Sequence, residues 1–168
     1  MITTDTRLQG LAAELKQVVK EAAQLLVREF ADACVIDLVD PETEDKVTRL
    51  AVVHRDPRMQ DTARALERIV LEHRQPHLAS ESLKTRKTTL FRRVTPASIG
   101  ALTQTPEHRR LVEKFAPKSA ITSPLLARGL LLGAITFVST DETHLFDKAD
   151  EPFAEEIARR LALAIDNA

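Results

Sequence analysis

Four side chains stand out as groups that could hold a small molecule: Asp37, His54, Thr122 and Thr136. Asp37 sits in the otherwise apolar, β-branched run Ala33–Val39. Side chains alternate between the faces of a strand, so Cys34, Ile36 and Leu38 form one apolar row, and Val35, Asp37 and Val39 form the other. An unpaired buried carboxylate is costly, so Asp37 must face a cavity, water or a partner. His54 closes the following apolar run and is the only histidine on a predicted strand. Thr122 and Thr136 fall on two later strands and bring hydroxyls that both donate and accept. Either these groups line a common cavity, or Asp37 and His54 anchor loops; the residues alone leave both readings open.

Other chemistries find less support. The glycines number four, at 10, 100, 129 and 133, too few for a dinucleotide fingerprint or a phosphate-cradling loop. No Gly-x-Ser-x-Gly elbow occurs. Cys34 is the single cysteine, which rules out an intrachain disulfide and a cysteine-rich zinc site. Lying in an apolar strand with no base beside it in sequence, it reads as a small buried hydrophobe. No catalytic residue and no catalytic activity are therefore expected. His73 and His77 have the helical spacing of paired metal ligands, but Pro76 between them ends a helix and no third ligand stands out. Two solvent-exposed histidines and no metal are expected. Lys84, Arg86, Lys87, Arg92 and Arg93 gather positive charge, yet only Phe91 offers an aromatic platform there. That segment reads as a solvated face rather than a nucleic-acid contact.

These side chains must be positioned by a recognisable series of elements. A long amphipathic helix spans about residues 6 to 30. Leu8, Leu11, Leu15, Val18, Ala22 and Leu25 alternate steps of three and four, the spacing of a coiled-coil seam. A second row, Val19, Ala23, Leu26 and Phe30, widens the stripe, so this helix is expected to serve its own sheet and a second surface. Strands follow at Ala33–Val39 and Val47–His54, then a helix from Asp61 to Glu72. The stretch from about Pro76 to Lys118 is the least regular, with a short strand candidate at Thr88–Val94 and brief helices at Pro96–Leu102 and Pro106–Phe115, each opened by a proline suited to a first turn. Ser119–Ala127 and Leu130–Thr140 form a hairpin about Arg128-Gly129. A final helix covers about 147 to 167, with Asp147 or Asp150 able to cap it and Asp150 preferred because Pro152 suits only a first turn, and with Phe153, Ile157, Leu161 and Ile165 as its apolar row. Strands in pairs with helices between them specify an α+β antiparallel sheet.

Composition sets the outer bounds. The 168 residues suit one domain, and 43% hydrophobic with 29% charged residues is a globular balance. The net charge of −1, from 24 basic and 25 acidic residues, offers no concentrated basic face for nucleic acid. No signal peptide and no apolar run of about 20 residues is present, so no membrane contact and a cytoplasmic location are expected.

Four stretches, taken together, resemble the GAF family in the form found in bacterial sensor histidine kinases and related phosphatases. They are Ala31 to Leu38; Ala51 to Pro57; Ser119-Ala120 with Ser123-Pro124-Leu125, Ala127-Arg128-Gly129 and Leu132 to Thr136; and Ala158-Arg159-Arg160 running into Ala164 to Ala168. The resemblance covers nearly the whole chain as a single GAF domain, residues 1–168. It implies a PAS-related central antiparallel sheet, terminal helices packed on one face and a helical or irregular lid on the other. It also implies a cavity between sheet and lid, on which Asp37, His54, Thr122 and Thr136 would converge. A homodimer through the terminal helices is expected, with the last helix leading to a downstream module, a histidine kinase in the parent protein. The alternatives are a dimerisation module without a ligand and the regulatory domain of a serine/threonine phosphatase.

The family leaves the small molecule and any cofactor open, because its members bind very different ligands or none. Bilin-binding members attach their chromophore through a cysteine in the lid, which this chain lacks. Cyclic-nucleotide-binding members carry an Asn-Lys pair ahead of Phe-x-x-x-Asp-Glu. Here Phe146, Asp150 and Glu151 match the second half, but Ser139-Thr140 replaces the pair, which argues against a cyclic nucleotide.

Overall fold

The computed structural model describes residues 2–40 and 46–167, with side chains from residue 13 onward. A long helix α1 (Ile2–Glu29) leads into strands β1 (Ala33–Val39) and β2 (Lys46–His54). Helix α2 (Gln60–Glu67), strand β3 (Val70–Glu72), helix α3 (Ser80–Thr85), strand β4 (Thr89–Phe91) and helices α4 (Pro96–Ala101) and α5 (Pro106–Phe115) follow. The hairpin β5 (Ser119–Ala127) and β6 (Leu130–Ser139) and the helix α6 (Glu151–Asp166) complete the chain. The strands pair antiparallel in the order β3-β2-β1-β6-β5-β4. The hairpin turns on Arg128 (φ 50) and Gly129 (φ 77), the paired positive φ values that match the right-handed twist of its strands.

Both faces of the sheet are covered, by different elements. On one face, Cys34, Ile36, Ala51, Val53, Ile121, Leu125, Ile135 and Phe137 form a core with α1 and α6. Val19, Ala23 and Val27 are the buried row of α1. Of the heptad-like row beside it, Val18 and Leu25 are each more than 60% exposed, while Leu15 packs against this core. The side chains of Leu8 and Leu11 lie outside the described residues. On the other face, α2 and α5 cover Ala33, Val35, Val52 and Val138, and α3 covers Val47 and Ala134.

Several local expectations are corrected. The α6 row that meets the sheet is Ala154, Ala158 and Ala162, not the larger set with Phe153, which is 46% exposed. Small residues let the helix lie close to the strands, while Ile157, Leu161 and Ile165 pack at its flanks. The entry to α6 is built by Asp147, whose side chain accepts from the Ala149 amide while Asp150 accepts from the Asp147 amide. Asp150 itself makes no side-chain cap bond to α6. The helix expected to reach Glu72 stops at Glu67. Val70 and Glu72 are exposed and Leu71 is buried, a period of two that pairs with β2 as an edge strand. The helix α3, unforeseen in the sequence, covers β5 and β6.

Candidate ligand site

A register fault in β2 creates the most unusual feature beneath the lid. Ile36 pairs with Ala51 but Asp37 pairs with Arg49, so Leu50 is an extra residue, a β-bulge. Strict alternation from Val53 and Ala51 would have put Arg49 on the α1/α6 face. The extra residue reverses that parity and sends Arg49 to the lid face, opposite Asp37. Leu50 packs with the α1/α6 core instead. Arg49 Nε lies 3.4 Å from Asp37 Oδ1, and Arg49 Nη1 donates to the Leu66 carbonyl at 3.4 Å. Both residues are buried. On the other side of β1, Gly133 lets β6 approach so closely that a methyl group there would overlap the Asp37 carbonyl oxygen.

Two buried histidines from the lid segment join this ion pair. His77 stands just before α3, tied in by a bond from its own amide to Ser80 Oγ and one from Ser80 Oγ back to its carbonyl. His77 Nδ1 accepts from the Ala79 amide at 3.3 Å, so the proton of the neutral ring sits on Nε2. His108 lies in the first turn of α5, where Thr105 Oγ1 caps its amide. His108 Nδ1 accepts from the Gln104 amide at 3.1 Å, which places its proton on Nε2 as well. Burial, and then the charge of Arg49, lower the pKa of His77 to about 3 and that of His108 to about 4, so both rings are neutral at pH 7. Burial raises the pKa of Asp37, and Arg49 opposes that rise.

Asp37 Oδ1 and Arg49 Nε have only each other as partners, at the long separation of 3.4 Å, and His77 Nε2 is buried without a hydrogen-bond partner. Arg49 and His108 also line a cavity of about 50 Å³ whose other walls include Val35, Leu66, Leu102 and Phe115. A larger open groove of about 680 Å³ lies outside it, bordered by His77, Thr89, Phe91 and the same Leu102.

The four residues singled out in the sequence divide among three places. Asp37 belongs to the buried cluster. Thr122 and Thr136 share its sheet face and bond to each other at 2.9 Å across β5 and β6. The Thr122 carbonyl accepts from Ser82 Oγ at 2.9 Å, so this pair underlies the docking of α3. His54 stands at the end of β2, where its Nδ1 accepts from the Asp56 amide and its ring meets Phe115 edge-on. It holds the turn after β2 rather than joining Asp37. None of the four lines the small cavity.

Arg49, His77 and His108 escaped the sequence reading. Arg49 carried a detectable signal, a charge inside an apolar strand one position out of phase. The histidines carried none. His77, expected in solvent, is 1% exposed, because the stretch between β3 and α3 turns it inward beneath the lid. Its ring centroid lies 6.5 Å from that of His73. No group of three or more His, Cys, Asp or Glu side chains among the described residues could hold a metal ion. Lys84, Arg86, Lys87, Arg92 and Arg93 are exposed. Cys34 is fully buried on the opposite sheet face, and burial together with the Asp37 charge raises its pKa far above the working range, so it supplies no thiolate.

The family model for the GAF domain matches residues 11–165. The chain belongs to the GAF family. No curated protein matches the sequence. Solved structures share the fold. The GAF region of a membrane protein from Geobacter sulfurreducens superposes with a TM-score of 0.68 at 19% identity, over 96% of this chain and 99% of that one. A type II free methionine-R-sulfoxide reductase from Thermoplasma acidophilum gives 0.66 at 17% identity, over 94% and 96%. A domain of a two-component sensor histidine kinase from Sinorhizobium meliloti gives 0.58 at 16% identity, over 90% of each chain. GAF domains are in general sensory and regulatory modules, although the fold also serves the reductase just named. Among the described residues, no helix is long and apolar enough to cross a membrane.

Proposed function

We propose that this GAF domain is a sensor whose small-molecule ligand sits between the sheet and the α2–α5 lid. The observation that carries the reading is a buried polar cluster, the Asp37–Arg49 ion pair with His108 and the partnerless His77 Nε2, of which Arg49 and His108 line an apolar cavity. Buried polar groups are almost always satisfied, and a site with convergent polar atoms and apolar walls is how small molecules are held. Occupancy would order α3–α5 and pass to the terminal helices through the shared sheet. In this reading the domain works as a homodimer, as part of a histidine kinase of the cytoplasm, with neither nucleic acid nor membrane as its partner. The exposed row of Val18 and Leu25 on α1, with Phe153 and Leu163 exposed on α6, supports the dimer, since a two-fold pair of such helices would cover it.

A metabolite library screened by thermal shift tests the sensor. A ligand held only by the folded state must raise the melting temperature, and binding at the proposed site must also move the His77 ring signals in NMR spectra. A hit that leaves His77 unmoved would place the ligand elsewhere. Light scattering at tens of micromolar tests the dimer, which Val18→Glu or Leu25→Glu should convert to monomer. A second reading, a dimerisation module with a closed pocket, is favoured by the cavity's small volume of about 50 Å³. A library without hits would support it.

A further inference from the structure

From the contacts around the open edge of β2 we infer a latch: Glu67, the last residue of α2, couples the position of the lid to helix α1. A ligand as the trigger rests on the sensor reading; the coupling itself does not.

The sheet separates two helix layers, since α1 and α6 cover one face and α2, α3 and α5 the other. Strand β3 pairs with β2 only at Lys46, Val47 and Thr48, so from Arg49 onward β2 has no neighbouring strand on its outer side. Both α1 and α2 pack against β2, and Glu67 joins them around this open edge. Its side chain is 10% exposed, with Lys16 Nζ 2.7 Å from Oε1 and Lys20 Nζ 3.9 Å from Oε2. Lys16 and Lys20 are one turn apart and so share one face of α1.

The latch is half closed. Glu67 Oε2 is buried without a hydrogen-bond partner, and Lys20 stands about 1 Å beyond the length of a charge-assisted bond. A buried carboxylate oxygen left in this way is costly, which favours the small shift that brings Lys20 in. The inner side of the same turn opposes it. There Arg49 Nη1 donates to the Leu66 carbonyl at 3.4 Å, while Arg49 Nε faces Asp37 Oδ1 at 3.4 Å. Three long contacts therefore stand in series, from Asp37 through Arg49 and the end of α2 to Lys20. The end of α2 has two arrangements, with Lys20 bonded and without, and both the lid interior and α1 bias them. Leu50, the bulged neighbour of Arg49, packs into the α1/α6 core, so movement of Arg49 is felt on both sheet faces. A ligand that draws Arg49 or α2 shifts the balance, and α1, which carries the exposed Val18 and Leu25, moves with it.

The test changes α1 and reads the lid, on the full chain and without ligand. Lys20→Arg, whose forked side chain reaches farther, should close the bond and slow hydrogen exchange of the Leu66, Glu67 and Arg68 amides about fivefold. Lys20→Met should speed it by a similar factor. The His77 ring, close enough to Arg49 to feel its charge, reports from inside the lid. Its NMR signals should fall on one line, with the native protein between the two variants, as a shared two-state equilibrium requires. Glu21→Gln, which alters an exposed α1 charge bonded to Gln17, should leave α2 and His77 unchanged. Exchange changes confined to α2 with His77 unmoved would reduce the contact to an edge ion pair and overturn the coupling. Shifts of the same sign in both Lys20 variants, or an equal response to Glu21→Gln, would overturn it as well. None of these results bears on ligand binding, so the sensor reading stands or falls separately by the thermal-shift screen.

Discussion

Acid should destabilise this domain through His77, and the size of the effect follows from its burial. The ring is held neutral in the folded state, with its pKa lowered from 6.5 to about 3. Between those values the unfolded chain binds a proton that the folded chain refuses, so stability is complete above pH 6.5 and falls as pH falls toward 3. At pH 5 the loss from this ring alone amounts to about 2 kcal/mol, with a slope approaching about 1.4 kcal/mol per pH unit. His108 has its pKa lowered to about 4 and acts in the same direction. Asp37 acts in the opposite direction: with its pKa raised in the fold, it takes up a proton more readily when folded and offsets part of the loss. Comparison with a variant isolates His77. His77→Asn keeps a side-chain acceptor for the Ala79 amide but cannot titrate. Urea unfolding at pH 8, 6.5 and 5 should show the native chain losing about 2 kcal/mol more than His77→Asn between pH 8 and pH 5. Parallel stability profiles for the two proteins would refute a buried neutral His77.

Three further outcomes follow from the site's construction. Gly133→Ala drives a methyl group into the Asp37 carbonyl oxygen, with backbone rather than a movable side chain in its path, and should cost about 3 kcal/mol or prevent folding, read from thermal melts. Arg49→Met leaves Asp37 buried without its cation and should cost about 3 to 5 kcal/mol in chemical unfolding, whereas the double variant Asp37→Leu with Arg49→Met should recover most of that loss. Cys34 should stay unreactive toward a thiol-specific reagent at pH 8 in the native protein and react at once in denaturant, because it is fully buried with its pKa raised.

Much of the architecture was legible in local chemistry. The β-branched run of β1, the Arg128-Gly129 turn of the β5–β6 hairpin and the proline-opened helices α4 and α5 each announced themselves through backbone preferences that act over a few residues. The need for a partner at Asp37 was equally plain, since a carboxylate in an apolar strand has few ways to be satisfied. Its family followed from the order of such stretches along the chain.

What the sequence alone left undecided is everything set by register and by chain reversal. Arg49 becomes the partner of Asp37 only because Leu50 is bulged, and a one-residue slip in a strand changes which face each side chain serves. Val70–Glu72 is a strand because β2 offers it an edge, although its residues also fit the end of a helix. Among similar apolar rows on α6, the alanines won the sheet because only small side chains allow the helix close approach. His77 and His108, 31 positions apart, share the field of Arg49 because α3 and α5 fold back over the same sheet face. Local preferences decide what a segment can be, but pairing across the sheet and packing beneath the lid decide which distant side chains meet.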